Sequence, residues 1–280
     1  MLSYLHGYHA GNHADVLKHT VLIALLEHLA RKATPFSYID THAGAGLYDL
    51  RDREARRNRE FDSGIGLLWD RTDLPALVDR YRRIVRACNE TDDHLRFYPG
   101  SPRIARELLR RDDPMDLFEM HPAEARRLER AMEGRARTRV RAEDGFTGCI
   151  GLLPPPSRRG MVLMDPSYEV KADFTAVVKA LNNAHDRFAT GTFAIWYPVT
   201  TRARVDRLCR QVRNSGVRDV HRHELCVAPD SEDFGMTGSG MLLVRPAYTL
   251  RGELAEALPY LTAVLGGSGA HHLSEMLVPE

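Results

Sequence analysis

The sequence predicts an α/β fold: a doubly wound, mostly parallel sheet of the Rossmann-like kind with helices on both faces. Three observations predict it. Short apolar runs of strand length alternate with helical stretches along most of the chain. The first run feeds directly into a small-residue turn, Thr41-His42-Ala43-Gly44-Ala45-Gly46, as at the start of a βαβ unit. One interval, from Leu47 to about Pro99, breaks the rhythm with charged helical sequence and no convincing strand. It reads as a helical subdomain, residues 47–99, inserted into a core made of residues 1–46 and 100–280.

Each element has its own signal. From Ala14 to Lys32 the residues Val16, Leu17, Val21, Leu25, Leu26 and Leu29 recur at helical spacing, so the chain opens with an amphipathic helix that Pro35 ends. Phe36 to Asp40 is a short buried strand. Further strands are expected at Asp116 to Met120, Thr138 to Ala142, Gly160 to Asp165, Thr192 to Tyr197, Asp219 to Val227 and Met241 to Val244. Helices fall between most of them, at Pro102 to Arg111, Pro122 to Glu133, Asp173 to Phe188 and Arg202 to Asn214. Gly266-Gly267-Ser268-Gly269 is a flexible loop without assigned chemistry.

Composition excludes several classes. With 280 residues, 43% hydrophobic and 28% charged, the chain can bury a sizeable core, and global disorder is excluded. The longest apolar run, Val21 to Leu26, is far below the ~20 residues of a spanning helix, and the N-terminus has no signal-peptide pattern; a cytoplasmic protein without membrane contact is expected. Cys88, Cys149, Cys209 and Cys226 lie far apart with no CxxC pair, which points to reduced thiols. The net charge of +1 hides a bias, since only four of the 39 basic residues are Lys. Arg suits phosphate and base recognition, yet a GC-rich genome produces the same bias, so composition leaves the partner open. The charge run from Arg51 to Glu60 reads as a solvated helix face, with a nucleic-acid contact as the alternative.

The chemistry gathers at strand ends. A glycine turn after the first strand lets backbone approach a ligand, which makes Gly44 a cofactor-loop candidate. The acidic residue that a dinucleotide fingerprint wants ~20 positions later is missing. With the insertion excised, the second strand is Asp116-Leu117-Phe118-Glu119, and Glu119 lands where a ribose-binding carboxylate belongs. Asp144 follows the third strand at the same sheet edge, with a plain helix cap as the alternative. The fourth strand, Gly160 to Met164, runs into Asp165-Pro166-Ser167-Tyr168, which resembles the Asp-Pro-Pro-Tyr signature of the amino-methyltransferases. Those enzymes methylate exocyclic nitrogens with S-adenosylmethionine. An adenine N6 is a poor nucleophile because its lone pair is delocalised into the ring. The Asp165 carboxylate and the Pro166 carbonyl can each accept one N6–H and aim the nitrogen, while Tyr168 offers a face for an extruded base. Ser167 replaces the usual second Pro. Taken alone, the motif also reads as an Asp-Pro turn closing a strand.

The N-terminal block Ser3-Tyr4-x-His6-x-x-His9-Ala10-Gly11-Asn12-His13-Ala14-Asp15-Val16-Leu17-Lys18-His19 resembles the opening of the bacterial 23S ribosomal RNA adenine-N6 methyltransferases of the J type. The likeness continues through Asp40 to Gly46, Tyr98 to Pro102, Ala142 to Phe146, Ser157 to Gly160, Trp196 to Pro198 and Gly235 to Met241, nearly the whole chain. The resemblance implies a class I methyltransferase fold, S-adenosylmethionine as cofactor and no metal. It implies a cofactor pocket lined by His19, His42, Ser101, Glu119, Asp144 and Gly145, with Asp165 at the reaction centre. It gives Tyr4, His6 and Lys18 to the target adenosine or its flanking phosphate, and 23S ribosomal RNA, free of ribosomal proteins, as the partner of a monomer.

Other readings remain. His6, His9 and His13 invite zinc, but no Cys or carboxylate is placed to complete a tetrahedron. Trp196-Tyr197-Pro198 reads as packing beside the active turn rather than a base platform. The arginines of Arg202 to Arg213 spread around more than one helix face, so Ser157-Arg158-Arg159 is the better RNA candidate, though it lies at the opposite strand end. DNA adenine-N6 methylation is the first functional alternative, weakened by the lack of a sequence-reading domain. A non-catalytic RNA-binding protein with a degenerate site is the second.

Overall fold

In the computed structural model, which describes residues 4–89, 94–170, 172–231 and 235–280, the first strand β1 (Ser37–Asp40) lies inside an eight-stranded sheet. Ser3 of the N-terminal motif and residues 90–93 of the insertion lie outside the described residues. The other strands of this sheet are β4 (Met115–Phe118), β5 (Thr138–Arg141), β6 (Gly160–Met164), β7 (Thr192–Val199), β8 (Val220–Cys226), β9 (Gly238–Val244) and β10 (His271–Val278). They stand in the order β10-β8-β9-β7-β6-β1-β4-β5. From β5 to β7 all neighbours are parallel, and the remaining pairs are antiparallel. Counted within this sheet alone, the order is 3-2-1-4-5-7-6 with one added edge strand, the Rossmann-like arrangement of class I methyltransferases. Register brings the site together: Asp40 lies beside Leu117 of β4 and Leu163 of β6, and Phe118 beside Arg141 of β5. The carboxyl ends of these four strands are therefore level.

Helices cover both faces, so the central strands are buried throughout and read as apolar runs rather than alternating ones. Their side chains still alternate. Met161 and Leu163 of β6 join a core with α1 (His13–Ala30) and α9 (Leu250–Leu265), whereas Val162 and Met164 join the core under α7 (Asp173–Arg187) and α8 (Arg202–Arg213).

Helix α1 departs from the amphipathic expectation. Every residue from Ala14 to Leu26 is buried, because sheet strands, α3 (Ala76–Ala87), α4 (Ser101–Leu108) and α9 close around it. Its polar residues Asp15, Lys18, His19 and Thr20 are thus inside the protein. Asn12 caps the helix through Oδ1, which accepts from the Ala14 and Asp15 amides at 2.9 and 3.0 Å.

The interval expected to lack strands holds two, β2 (Leu47–Asp49) and β3 (Phe97–Pro99), paired antiparallel with Leu47 opposite Pro99. Each is three residues long, too short for a periodic signal. Between them are α2 (Arg53–Asn58), 3-10 turns and α3; Ile65, Leu68, Leu77, Val78, Tyr81 and Val85 share one core with α1. Helix α9 and strand β10 also lie outside the sequence expectation. Gly252 and Pro259 lie within α9, and β10 is an edge strand with mostly polar, partly exposed residues; the Gly266 to Gly269 loop joins the two. Among the described residues, no helix is long and apolar enough to cross a membrane.

Candidate active site

The loops after β1, β4, β5 and β6 and the start of α4 surround a cavity of about 270 Å³ at the carboxyl edge of the sheet. Asp40, fully buried at the end of β1, organises this edge. It accepts from the Tyr38 hydroxyl and the Ser101 hydroxyl, both at 2.7 Å, and from the His42 amide at 3.2 Å. Burial, which these donors only partly offset and to which the Asp165 charge adds, pushes its carboxyl up to about 6. Ser101, through that bond, fixes the N-terminus of α4 beside the cavity.

Gly44 turns the chain at φ 61°, and a Cβ there would strike the Tyr48 hydroxyl, so the sequence needs glycine at this point. Its amide donates to Glu119 Oε2 at 2.9 Å, while Glu119 Oε1 accepts from the His121 amide at 2.7 Å. Glu119 thus ties the β1 and β4 loops together and keeps its carboxylate at the cavity wall. Asp144 caps the short helix α6 (Gly145–Gly148), accepting from the Phe146 amide at 3.0 Å and the Thr147 hydroxyl at 2.7 Å. It is exposed and lines the cavity as well as capping the helix. Gly145 itself packs on the backbone of Thr41, where a Cβ would overlap the Thr41 carbonyl oxygen. The His42 ring lies 4.8 Å from Phe146 in an edge contact, and burial pulls it down to about 4. His19, 1% exposed, is hydrogen-bonded through Nδ1 to the Tyr98 hydroxyl at 2.8 Å, and burial pulls it down to about 3. Both rings are therefore neutral near pH 7.

A second cavity, of about 740 Å³, opens on the other side of the Asp165 turn. Tyr4, His6, Lys18, Asp165 and Ser167 line both cavities, so the two meet at that turn. The second adds the aromatic side chains of Tyr168, Phe174 and Trp196, with Pro198 and Met236. Tyr168 has φ 53°, donates its hydroxyl to the Trp196 carbonyl at 2.6 Å and packs 4.4 Å from the Phe174 ring. The sequence predicts packing alone for Trp196; it packs and also presents a wall of this cavity.

A buried polar chain connects the N-terminus to the turn. The Tyr4 hydroxyl meets His6 Nδ1 at 2.9 Å, and His6 Nε2 meets Asp15 Oδ2 at 2.9 Å. Asp15 also accepts from the Gly11 amide at 2.8 Å and from Lys18 Nζ at 2.9 Å. Lys18 Nζ then donates to Asp165 Oδ2 at 2.6 Å. Burial alone would pull the Lys18 ammonium down, but Asp15 and Asp165 outweigh it and hold it above its usual range. Burial would likewise raise Asp15, yet His6 and Lys18 keep its carboxyl well below the usual carboxylate range. The family resemblance gives Lys18 to the adenosine or its phosphate; here it is 4% exposed with its charge taken up by two carboxylates. The remaining N-terminal histidine reading, zinc, has a competing geometry, because His6 is taken by Asp15 and His9 by Glu60 at 2.8 Å.

The family model described as "Ribosomal RNA large subunit methyltransferase D, RlmJ" matches residues 33–278. The chain belongs to that family. The Haemophilus influenzae protein named Ribosomal RNA large subunit methyltransferase J is 45% identical over 281 residues, 100% of both chains. Its namesake from Escherichia coli K12 is 44% identical over the same span. Among solved structures, protein LPL1258 from Legionella pneumophila superposes with a TM-score of 0.89 at 36% identity, covering 96% of this chain and 98% of that one.

In this RlmJ-family chain the structure gathers nearly all the sequence-nominated residues. Tyr4, His6, Lys18, His19, His42, Gly44, Ser101, Glu119, Asp144, Asp165 and Pro166 line the first cavity, Gly145 supports its floor, and Tyr168 lines the second. Ser157-Arg158-Arg159 is remote from it: Arg159 Nη2 donates to the Leu29 carbonyl at 2.7 Å and anchors the end of α1. Sequence reasoning missed Asp15, Asp40 and Trp196 as parts of the site. Asp15 stands three residues before Lys18 on one helix, which was the available signal for it. Asp40 ends a strand just as the nominated residues do.

Proposed function

We propose that this chain transfers a methyl group from S-adenosylmethionine to N6 of an adenosine in 23S ribosomal RNA. The carrying observation is that two cavities meet at Asp165-Pro166, one walled by carboxylates and a glycine turn, the other by aromatic rings. The first cavity suits the donor: Glu119 offers a carboxylate for ribose hydroxyls, Asp144 one for the adenine amine, and His42 with Phe146 an edge-on ring contact. When bound there, S-adenosylmethionine supplies an electrophilic methyl on a sulfonium. The second cavity suits an extruded purine, stacked among Tyr168, Phe174 and Trp196.

The chain's own contribution is orientation. Lys18 occupies Oδ2 of Asp165, which leaves Oδ1 and the Pro166 carbonyl to accept the two N6–H groups. Held so, the N6 lone pair would point at the methyl that the bound donor would supply, and the proton N6 sheds would leave to water. Tyr4 and His6 line the junction of both cavities and wall the reaction space on the N-terminal side. Ser167 leaves this scheme intact because the accepting carbonyl belongs to Pro166. The protein acts as a cytoplasmic monomer on RNA free of ribosomal proteins, and residues 47–99 form a subdomain set into the catalytic core.

The test is incubation with labelled S-adenosylmethionine and either protein-free 23S RNA or duplex DNA, followed by nucleoside mass spectrometry. N6-methyladenosine in the RNA is expected. Label confined to DNA, or RNA label on another position, would overturn the assignment.

A further inference from the structure

Helix α2 sits on the outer side of the N-terminal turn His6–Tyr8, the turn whose His6 lines both cavities. Its inward side carries Ala55, which is buried, and Glu54, whose side chain packs on Gly7 and lies 3.7 Å from Arg127. Arg53, Arg56 and Arg57 are left outside, at i, i+3 and i+4 and so on one face. With Arg51 and Tyr8 they line a concave surface of about 720 Å³. Arg51 is paired with Asp49 at 3.2 Å, but among the described residues Arg53, Arg56 and Arg57 form no ion pair; Arg57 lies 5.9 Å from the Tyr8 ring centroid. Of the acids in the same charge run, Glu60 is committed to His9 and Asn12 and Glu54 faces Arg127, so the exposed Asp52 is one carboxylate beside three guanidinium groups. Like charges at this spacing destabilise a helix, and six residues make a marginal one. A concentration of unneutralised guanidinium groups beside an aromatic ring is the surface that nucleic-acid backbone complements.

We propose that this groove is a second RNA contact, where Arg53, Arg56 and Arg57 take phosphates flanking the target adenosine and Tyr8 offers a stacking face to a neighbouring base. The inference rests on the functional reading above. It explains why the groove adjoins the N-terminal turn: a strand seated on α2 is led over that turn to the second cavity.

The experiment measures KM for protein-free 23S RNA at several salt concentrations, for the parent, for Arg53→Gln/Arg56→Gln/Arg57→Gln and for the corresponding triple Lys variant. Cofactor affinity and melting temperature report the fold: all three proteins should agree in cofactor affinity, and the Gln variant, relieved of like-charge repulsion, should melt no lower than the parent. Each arginine that no longer neutralises a phosphate takes ~0.7 from the slope of log KM against log salt, so the Gln variant's slope should be lower by about 2. That difference widens the gap between parent and Gln variant about twentyfold from 200 to 50 mM salt. The Lys variant should keep most of the parental slope. Parental KM and slope in the Gln variant would overturn the groove while leaving the methyltransferase standing, as would a Lys variant whose slope falls as far as the Gln variant's. A parent inactive on RNA at every salt concentration would overturn the functional reading, and the groove with it.

Discussion

Replacing Lys18 by Met removes a buried cation from between two carboxylates while keeping most of its stem. In the parent, Nζ stands 2.9 Å from Asp15 and 2.6 Å from Asp165, with the lysine side chain 5% exposed. Breaking a buried ion pair costs about 3–5 kcal/mol, because the remaining charge stays desolvated. Asp15 retains His6 and the Gly11 amide, so the lower end applies: about 3 kcal/mol, or a fall of roughly 6–12 °C in melting temperature for a domain of this size. Activity should fall further than stability requires. Asp165 loses the donor that fixes its rotamer, and misplacement of a catalytic group by about 1 Å costs on the order of 100-fold in rate. The sign of the pH dependence is also set. Lys18 is raised in the native state, so its contribution is complete below about pH 10 and is lost only as pH rises through the raised value. Asp15 is depressed, so its contribution is present above about pH 4 and is lost as pH falls through the native value. The gap between parent and variant should therefore stay constant from about pH 5 to 9 and narrow in acid. Calorimetry across that range, with single-turnover methylation of RNA, measures both effects. A variant that melts with the parent and methylates at the parental rate would refute this role for Lys18.

Asp165→Ala should lower methylation at least about 100-fold with cofactor affinity near parental, read by single-turnover rates and calorimetric titration. Glu119→Ala should do the reverse, weakening cofactor binding by roughly 10–100-fold, the worth of a hydrogen bond to a charged group, with a much smaller change in kcat. For Asp40, burial places the native carboxyl near 6, above its unfolded value of about 4, so protonation favours the fold and the parent loses stability as pH rises through that interval. Asp40→Asn should flatten this loss, which denaturant melts at pH 4.5 and 7 would show as a smaller difference than in the parent.

The parallel half of the fold is legible in the sequence because β1, β4 and β6 are short, largely apolar runs that end in a turn or a polar residue, and helices follow β4, β5 and β6. What escapes has weak local signals. β2 and β3 are three residues each and are stabilised by pairing with one another across the whole insertion. Helix α9 contains Gly252 and Pro259, and β10 lacks an apolar run because it sits at the sheet edge. Periodicity gives helix α1 an outer polar face because of its charged and polar residues; that face is turned into the site, which spacing alone does not distinguish from solvent. The site is legible to the same extent. Glu119, Asp144 and Asp165 follow from being at strand ends, and parallel register does the rest. Asp15, by contrast, acts through His6 and Lys18, and the roles of Trp196 and α2 depend on which loops lie beside them. Such contacts arise only once the chain is closed.

The position of the donor relative to the Asp165 turn decides whether two oxygens can aim N6 at the methyl. A crystal structure of the protein with S-adenosylhomocysteine is the measurement to make. The product should fill the 270 Å³ cavity, its ribose on Glu119 and its sulfur facing the second cavity across Asp165 and Pro166. Density for it in the aromatic cavity, or away from the carboxyl edge of the sheet, would contradict this mechanism.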